Sequence, residues 1–156
     1  MTTAGRLVAR YAELGWTCGT AESCTGGGVG SAITSAPGSS AVFLGGVISY
    51  GNSVKRNLLG VASETLSTAG AVSPETAAQM ALGARRALGV DVAVSVTGIA
   101  GPDGGSDEKP VGLVWFGLAS PSGVKTESAV FPGGREKVRA AAVEHALSLL
   151  LSAAGR

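Results

Sequence analysis

At 156 residues and a formal net charge of +1, the chain has room for one domain with a full core and not for two comfortable ones. Charged residues make up 15%, below the roughly 25% of an average domain, while 45% are hydrophobic and the 25 glycines are about twice the usual share. With no Lys/Arg run this balance excludes a basic nucleic-acid footprint, and no apolar stretch reaches the ~18 residues that span a bilayer.

Residues 3–14 read as a helix with Leu7, Val8, Tyr11 and Leu14 on one side and Gly15 as its stop. Trp16 to Ala21 reads as a first strand, followed by the loop Glu22-Ser23-Cys24-Thr25-Gly26-Gly27-Gly28 and a helical segment, Val29 to Ser35. A strand that opens into a helix through such a loop brings together backbone N–H groups that lack helical partners, and these can hold an anion. Taken alone, the loop is equally open to being a glycine-rich turn with capping hydroxyls and no chemistry.

Ala36-Pro37-Gly38-Ser39-Ser40 is a turn, and Val42 to Tyr50 is expected to be strand over at least its second half. Asn52 or Ser53 is expected to cap a short helix carrying Lys55, Leu58 and Leu59, and one or two helical turns follow over Ser63 to Ala69. Ser73-Pro74-Glu75 is a helix start: a capping hydroxyl, proline at the first position and an acid in the first turn. That helix should run to Leu88 with Ala77, Met80, Ala81, Ala84 and Leu88 inward and Gly89 ending it.

Val90 to Thr97 alternates Val with small or polar residues and reads as a central strand. Gly98 to Gly105 is too rich in glycine and proline for regular structure. Val111 to Ala119 is a further strand, turned back by Ser120-Pro121-Ser122-Gly123 onto an edge strand, Val124 to Phe131, whose Lys125 and Glu127 suggest a wetter position. Residues 134–153 form a long helix with Val143, Leu147 and Leu150 on one face and Val138, Ala142 and Leu149 on another, a stripe expected to bury against both the sheet and a partner subunit. With no internal repeat or linker, the chain is expected to be a single domain over residues 1–156. Its fold should be a three-layer α/β sandwich around a mixed, mostly parallel sheet with a late antiparallel hairpin.

The two cysteines, Cys18 and Cys24, are too few for a disulfide framework and lack metal-ligand spacing, so they are read as reduced thiols in a cytoplasmic protein. Arg6, Arg10 and Glu13 interrupt any apolar run that could serve as a signal peptide. The single histidine, His145, lies deep in the last helix, which disfavours Ser-His-Asp and Cys-His schemes. No residue set has metal-ligand spacing, and neither glycine-rich loop matches a phosphate-loop or dinucleotide fingerprint, so no metal and no cofactor are expected.

What remains is a hydroxyl nucleophile activated by lysine. In α/β sheets ligands gather where strand ends lead into helices, which draws the Ser23 loop, Tyr50 to Lys55, and Gly98 to Gly105 toward one cleft. A lysine can take a serine proton only when neutral. Lowering its pKa from about 10.4 to near 7 costs roughly 4 kcal/mol, which burial could impose. A tyrosine could relay the proton, and loop N–H groups could stabilise an oxyanion. On composition alone a solvated helix lysine, an interior tyrosine, and a protonated Cys24 beside the serine remain open as alternatives, Cys24 also as a second candidate nucleophile.

Ala21-Glu-Ser-Cys-Thr-Gly-Gly27, Gly38-Ser-Ser40, Tyr50 with Lys55, Gly70-Ala-Val-Ser73, and Thr97-Gly-Ile-Ala-Gly-Pro-Asp-Gly-Gly105 followed by Lys109-Pro-Val-Gly112 together resemble the CinA C-terminal domain family. The resemblance covers nearly the whole chain and is similar to the stand-alone form, without the second domain of the fused members. It implies a metal-free amidase that converts nicotinamide mononucleotide, a small-molecule nucleotide, to nicotinate mononucleotide and ammonia in pyridine-nucleotide salvage; a homo-oligomer is expected separately, from the low charge content and the wide apolar stripe of the last helix. The resemblance implies Ser23 as nucleophile, Lys55 and Tyr50 as the acid/base pair, and Thr25, Gly26 and Gly27 as the substrate or oxyanion loop. Thr97, Gly98, Ile99, Ala100 and Gly101 would form another wall, with Arg135 on the phosphate and Arg139 as the fallback. Glu22 and Asp103 are left without a role. A different class stays open as well: a catalytically silent nucleotide sensor using the same loop.

Overall fold

A computed structural model describes residues 1–155. In chain order its elements are α1 (Thr3–Leu14), β1 (Cys18–Glu22), α2 (Gly28–Thr34), a 3₁₀ turn (Ser39–Ala41), β2 (Phe43–Ile48), α3 (Asn52–Leu59), α4 (Ser63–Thr68), α5 (Pro74–Leu88), β3 (Val92–Gly98), β4 (Leu113–Ser120), β5 (Gly123–Val130) and α6 (Arg135–Ala153). The five strands form one sheet in the order β2-β1-β3-β4-β5. β1 pairs with β2 and with β3 in parallel, while β4 is antiparallel to both β3 and β5. Only β4 is therefore reversed, which makes the sheet mixed and mostly parallel in direction.

Two apolar clusters fill the spaces on either side of this sheet. On one side α1, α2 and α6 pack against Cys18, Val92, Val94, Val96, Val114 and Phe116. On the other α3 and α5 cover Ala21 and Ala93 with Leu59, Met80 and Ala84. Because helices cover both faces, β3 is buried along almost its whole length, as a central strand should be. The three-layer sandwich is the expected architecture.

Local chemistry explains most of the boundaries. Ser73 Oγ accepts from Thr76 N at 3.1 Å, Pro74 opens α5 and Gly89 ends it in the left-handed conformation. Four expectations need correction. β1 starts at Cys18, not Trp16, because Thr17 leaves the ladder: its N–H and hydroxyl both reach Asp91 Oδ2, at 2.8 and 3.3 Å. β2 occupies the whole of Phe43–Ile48 and stops short of Tyr50. Neither Asn52 nor Ser53 caps α3, which begins at Asn52 behind Gly51 with no side-chain cap. The apolar positions of α6 do not divide between the sheet and a partner. Val138, Ala142, Leu147 and Leu150 are buried, and Val143 and Leu149 pack at the margin of the same core.

Tyr11 shows how the outer layer is locked. It is fully buried, and its hydroxyl donates to Leu150 O at 2.7 Å, joining α1 to α6. Burial raises its pKa, so the hydroxyl stays a donor. Among the described residues, no helix is long and apolar enough to cross a membrane.

Candidate active site

Ser23 is the first residue beyond β1. Its N–H still donates to Val96 O on β3, at 2.9 Å, so the serine is fixed by the continuation of the sheet. From β2 the chain turns through Ser49, Tyr50 and Gly51 into α3. Ser49 ties that turn to β1, donating from N and Oγ to Glu22 O at 2.7 and 3.3 Å. The turn points the first coil of α3 back at the serine. Lys55 Nζ lies 3.1 Å from Ser23 Oγ, 2.8 Å from Ser49 O and 3.0 Å from Tyr50 O.

Lys55 is 1% exposed. Burial lowers its pKa below the ordinary 10.5, against a weaker opposing pull from Cys24. The three contacts fit a protonated amine donating to all three oxygens, and they also fit the neutral one, whose nitrogen has two protons and one lone pair. The two carbonyls can accept both protons, leaving the lone pair for the Ser23 hydroxyl. The amine can thus accept the serine proton without first breaking its own hydrogen bonds.

Ser23, Lys55, Cys24, Tyr50, Asn52, Ala71, Val72, Thr97, Gly98, Ala100 and Arg135 line one cavity of about 190 Å³. It joins the three expected segments, and Gly70 to Ser73 adds a wall through Ala71 and Val72. Thr97 is anchored there, its hydroxyl donating to Ala71 O at 2.8 Å. Tyr50 is exposed, and its carbonyl rather than its phenol holds Lys55. Arg135 Nη1 donates to Gly101 O at 2.8 Å. Thr25, Gly26, Gly27, Ile99 and Gly101 are not among the residues that line the cavity. Ile99 instead pairs with the lead-in to β4, donating to Leu113 O and accepting from Gly112 N. Asp103 is exposed on the loop beyond.

The α2 N-terminus is not the anion site that the sequence suggested. Glu22 is 2% exposed and takes those donors itself. Its Oε1 accepts from Gly27 N at 3.1 Å, Val29 N at 2.9 Å and the Thr25 hydroxyl at 2.7 Å; its Oε2 accepts from Gly30 N at 3.0 Å and the Thr20 hydroxyl at 3.1 Å. The positive end of the helix is already neutralised by the chain's own carboxylate. The sequence signal was an acid six residues before a glycine-rich helix start, where small residues let a side chain approach the backbone.

Arg139 likewise belongs to the loop. Its Nε donates to Cys24 O at 3.0 Å and its Nη2 to Thr25 O at 3.3 Å. Cys24 is a free thiol whose pKa burial pushes up to about 11, so it stays protonated beside the serine. His145 makes a 2.6 Å contact with Glu127 on β5 and does not line the cavity. Among the described residues no group of three or more His, Cys, Asp or Glu side chains could hold a metal ion.

Many known proteins are similar to this chain in sequence. The CinA C-terminal domain model matches residues 1–154. The chain is 54% identical over 138 residues to the nicotinamide-nucleotide amidohydrolase PncC of Enterobacter agglomerans, covering 88% of this chain and 84% of that protein. A CinA-like protein of Synechococcus sp. strain RCC307 is 55% identical over 136 residues, 86% of this chain but 33% of that protein, so the chain spans about a third of such longer relatives. Among solved structures, competence/damage inducible protein CihA of Agrobacterium tumefaciens superposes with a TM-score of 0.95 at 46% identity, covering 99% of this chain and 94% of that one. A CinA superfamily protein of Escherichia coli gives a TM-score of 0.93 at 35% identity, covering 97% and 88%. With nearly its whole length matched in sequence and in fold, the chain belongs to the CinA C-terminal domain family.

Proposed function

We propose that this chain is an amidohydrolase that converts nicotinamide mononucleotide to nicotinate mononucleotide and ammonia by a Ser-Lys mechanism. The observation that carries the reading is the buried Lys55 amine 3.1 Å from Ser23 Oγ at the wall of an open cavity. The nicotinamide-nucleotide amidohydrolase name of the Enterobacter agglomerans relative supports the substrate.

In this scheme neutral Lys55 takes the Ser23 proton as Oγ attacks the carboxamide carbon. The tetrahedral intermediate collapses by breaking the C–N bond, and the proton passes from Lys55, with the Tyr50 phenol as relay, to the departing ammonia. A water molecule then cleaves the nicotinoyl ester with Lys55 again as base, returning the Ser23 hydroxyl and releasing nicotinate mononucleotide. The cationic pyridinium ring makes the amide electron-poor and opposes a charge on Lys55. Arg135, at the cavity wall, holds the phosphate through guanidinium N–H groups other than the one on Gly101 O. Thr97, Gly98 and Ala100 support the ring from the opposite wall.

Ammonia release from nicotinamide mononucleotide tests this. Ser23→Ala and Lys55→Ala should each abolish release, while substrate binding by Lys55→Ala stays measurable by calorimetry. Binding without ammonia release by the unaltered protein would make it a sensor, and normal turnover by Lys55→Ala would remove the lysine from the mechanism. We further propose a cytoplasmic homo-oligomer, supported by the free thiols and by the exposed Leu44, Ile48 and Leu58 around β2 and α3. Light scattering that gives a monomer mass at micromolar concentration would overturn the oligomer.

A further inference from the structure

We infer that Glu22 and Arg139 are positioning residues that clamp the Ser23 loop from its two ends, and that this clamp presents the Cys24 N–H group, at the cavity wall, as an oxyanion donor; the inference rests on Ser23 being the nucleophile. The loop's hydrogen bonds account for nearly every other polar backbone group. Ser23 O accepts from Gly26 N at 3.1 Å, Cys24 O from Arg139, and Thr25 O from both Arg139 and Gly28 N. Ser23 N is on Val96 O, Gly26 N on Ser23 O, and Gly27, Val29 and Gly30 N are on Glu22. Two donors are left. Among the described residues the N–H groups of Cys24 and Thr25 meet no backbone or side-chain oxygen, and of these two residues Cys24 lines the cavity while Thr25 is buried behind it.

These two are the donors that follow the serine directly. In a trans peptide the C=O and the next N–H point in opposite directions. Holding Ser23 O and Cys24 O against Gly26 and Arg139 therefore turns the Cys24 and Thr25 N–H groups the other way. Glu22 fixes the far end of the same turn, gripping the Thr25 hydroxyl as well as α2. Donors held in place before reaction stabilise a developing oxyanion because nothing has to reorganise when the charge appears. The clamp also assigns Arg139 a task distinct from that of Arg135. Two of its nitrogens are already committed to loop carbonyls, so it acts on the loop and not on a substrate phosphate.

The test uses Glu22→Gln and Arg139→Lys in the full chain, with thermal melts to confirm folding. Glutamine presents an NH2 group to donors on one side of the carboxylate site, and lysine loses the two-pronged hold on Cys24 O and Thr25 O. Each variant should lower kcat by about 10- to 100-fold with KM changed less than about twofold, equally for nicotinamide mononucleotide and for its riboside. If the Arg139→Lys loss appears in KM for the mononucleotide and disappears for the riboside, Arg139 is a phosphate ligand and the clamp is wrong. A fluorophosphonate probe gives a readout independent of the substrate: Ser23 Oγ bonds to phosphorus, fluoride leaves, and Lys55 takes the proton. Labelling of Ser23, read by mass spectrometry, should slow by about tenfold or more in both variants. Wild-type labelling rates in the variants, or no labelling of the unaltered protein, overturn the inference. Slowed labelling in the variants, with no ammonia release from the unaltered protein, retains the clamp and rejects only the proposed substrate. Should Glu22→Gln fail to fold, Arg139→Lys carries both readouts.

Discussion

Lys55 is almost wholly buried, and under the proposed mechanism the pH at which its amine loses its proton sets when Ser23 can be activated. Its pKa is lowered by burial. Below the folded value the amine is protonated and cannot take the serine proton, so kcat/KM should climb with pH along a limb centred below 10.5. A rate flat from pH 5 to 10 would contradict this. The same shift has a stability counterpart. Between the folded pKa and 10.5 the unfolded chain keeps a proton that the folded chain has lost, so stability rises with pH across that window. Urea midpoints for the wild type and Lys55→Met should differ in their pH dependence there, and only the wild type should gain from this site. Tyr11 tests the scaffold separately. Tyr11→Phe leaves Leu150 O buried without its donor and should cost about 1–3 kcal/mol in urea unfolding, with turnover per folded molecule unchanged. At this scale the approach of Lys55 to Ser23 was legible, because a strand-end hydroxyl and a lysine at a helix start are local patterns. Glu22 and Arg139 were not. A carboxylate's role depends on which backbone amides it reaches, and the Cys24 carbonyl that Arg139 holds is 115 positions away in sequence.

Helix α3 is placed by α5 as much as by its own sequence. A Cβ added at Gly83, in the middle of α5, would come within 1.9 Å of Leu59 O at the end of α3, so the bare glycine lets the two backbones touch. Lys55 lies one turn before Leu59 on the same helix. Gly83→Ala should therefore push α3 outward, destabilise the protein by about 1–3 kcal/mol and lower kcat together. A variant that loses stability but keeps full kcat would show that α3 is not held by this crossing. The ends of α5 were readable because Ser73, Pro74 and Gly89 each act through their own neighbours. The start of β1 was not, since Asp91 draws Thr17 away from the ladder from the far side of β3's entry turn. The α6 stripe was misread for a related reason. Its breadth reflects packing against α1, α2, β3 and β4 within one chain, which a helical projection cannot tell from a partner's surface.

In the molecule as a whole, alternating helices and strands and the late hairpin made the layered architecture legible, because each crossover must lie on one face of the sheet. The order of strands was less so, since it depends on pairing between segments far apart in the chain. That order puts β1 and β3 inside the sheet and leaves β2 on its margin, paired only with β1. Ser23 thus stands just past the end of a strand flanked on both sides, whereas Lys55 rides on the helix that follows β2 at the margin. Such margins peel before interiors do. On a urea titration, ammonia release should decline at a lower concentration than the circular-dichroism signal, and coincident curves would argue against a separable margin. The weak point under stress would then be the grip of this outer strand, with Ser23 still in place after Lys55 has swung away.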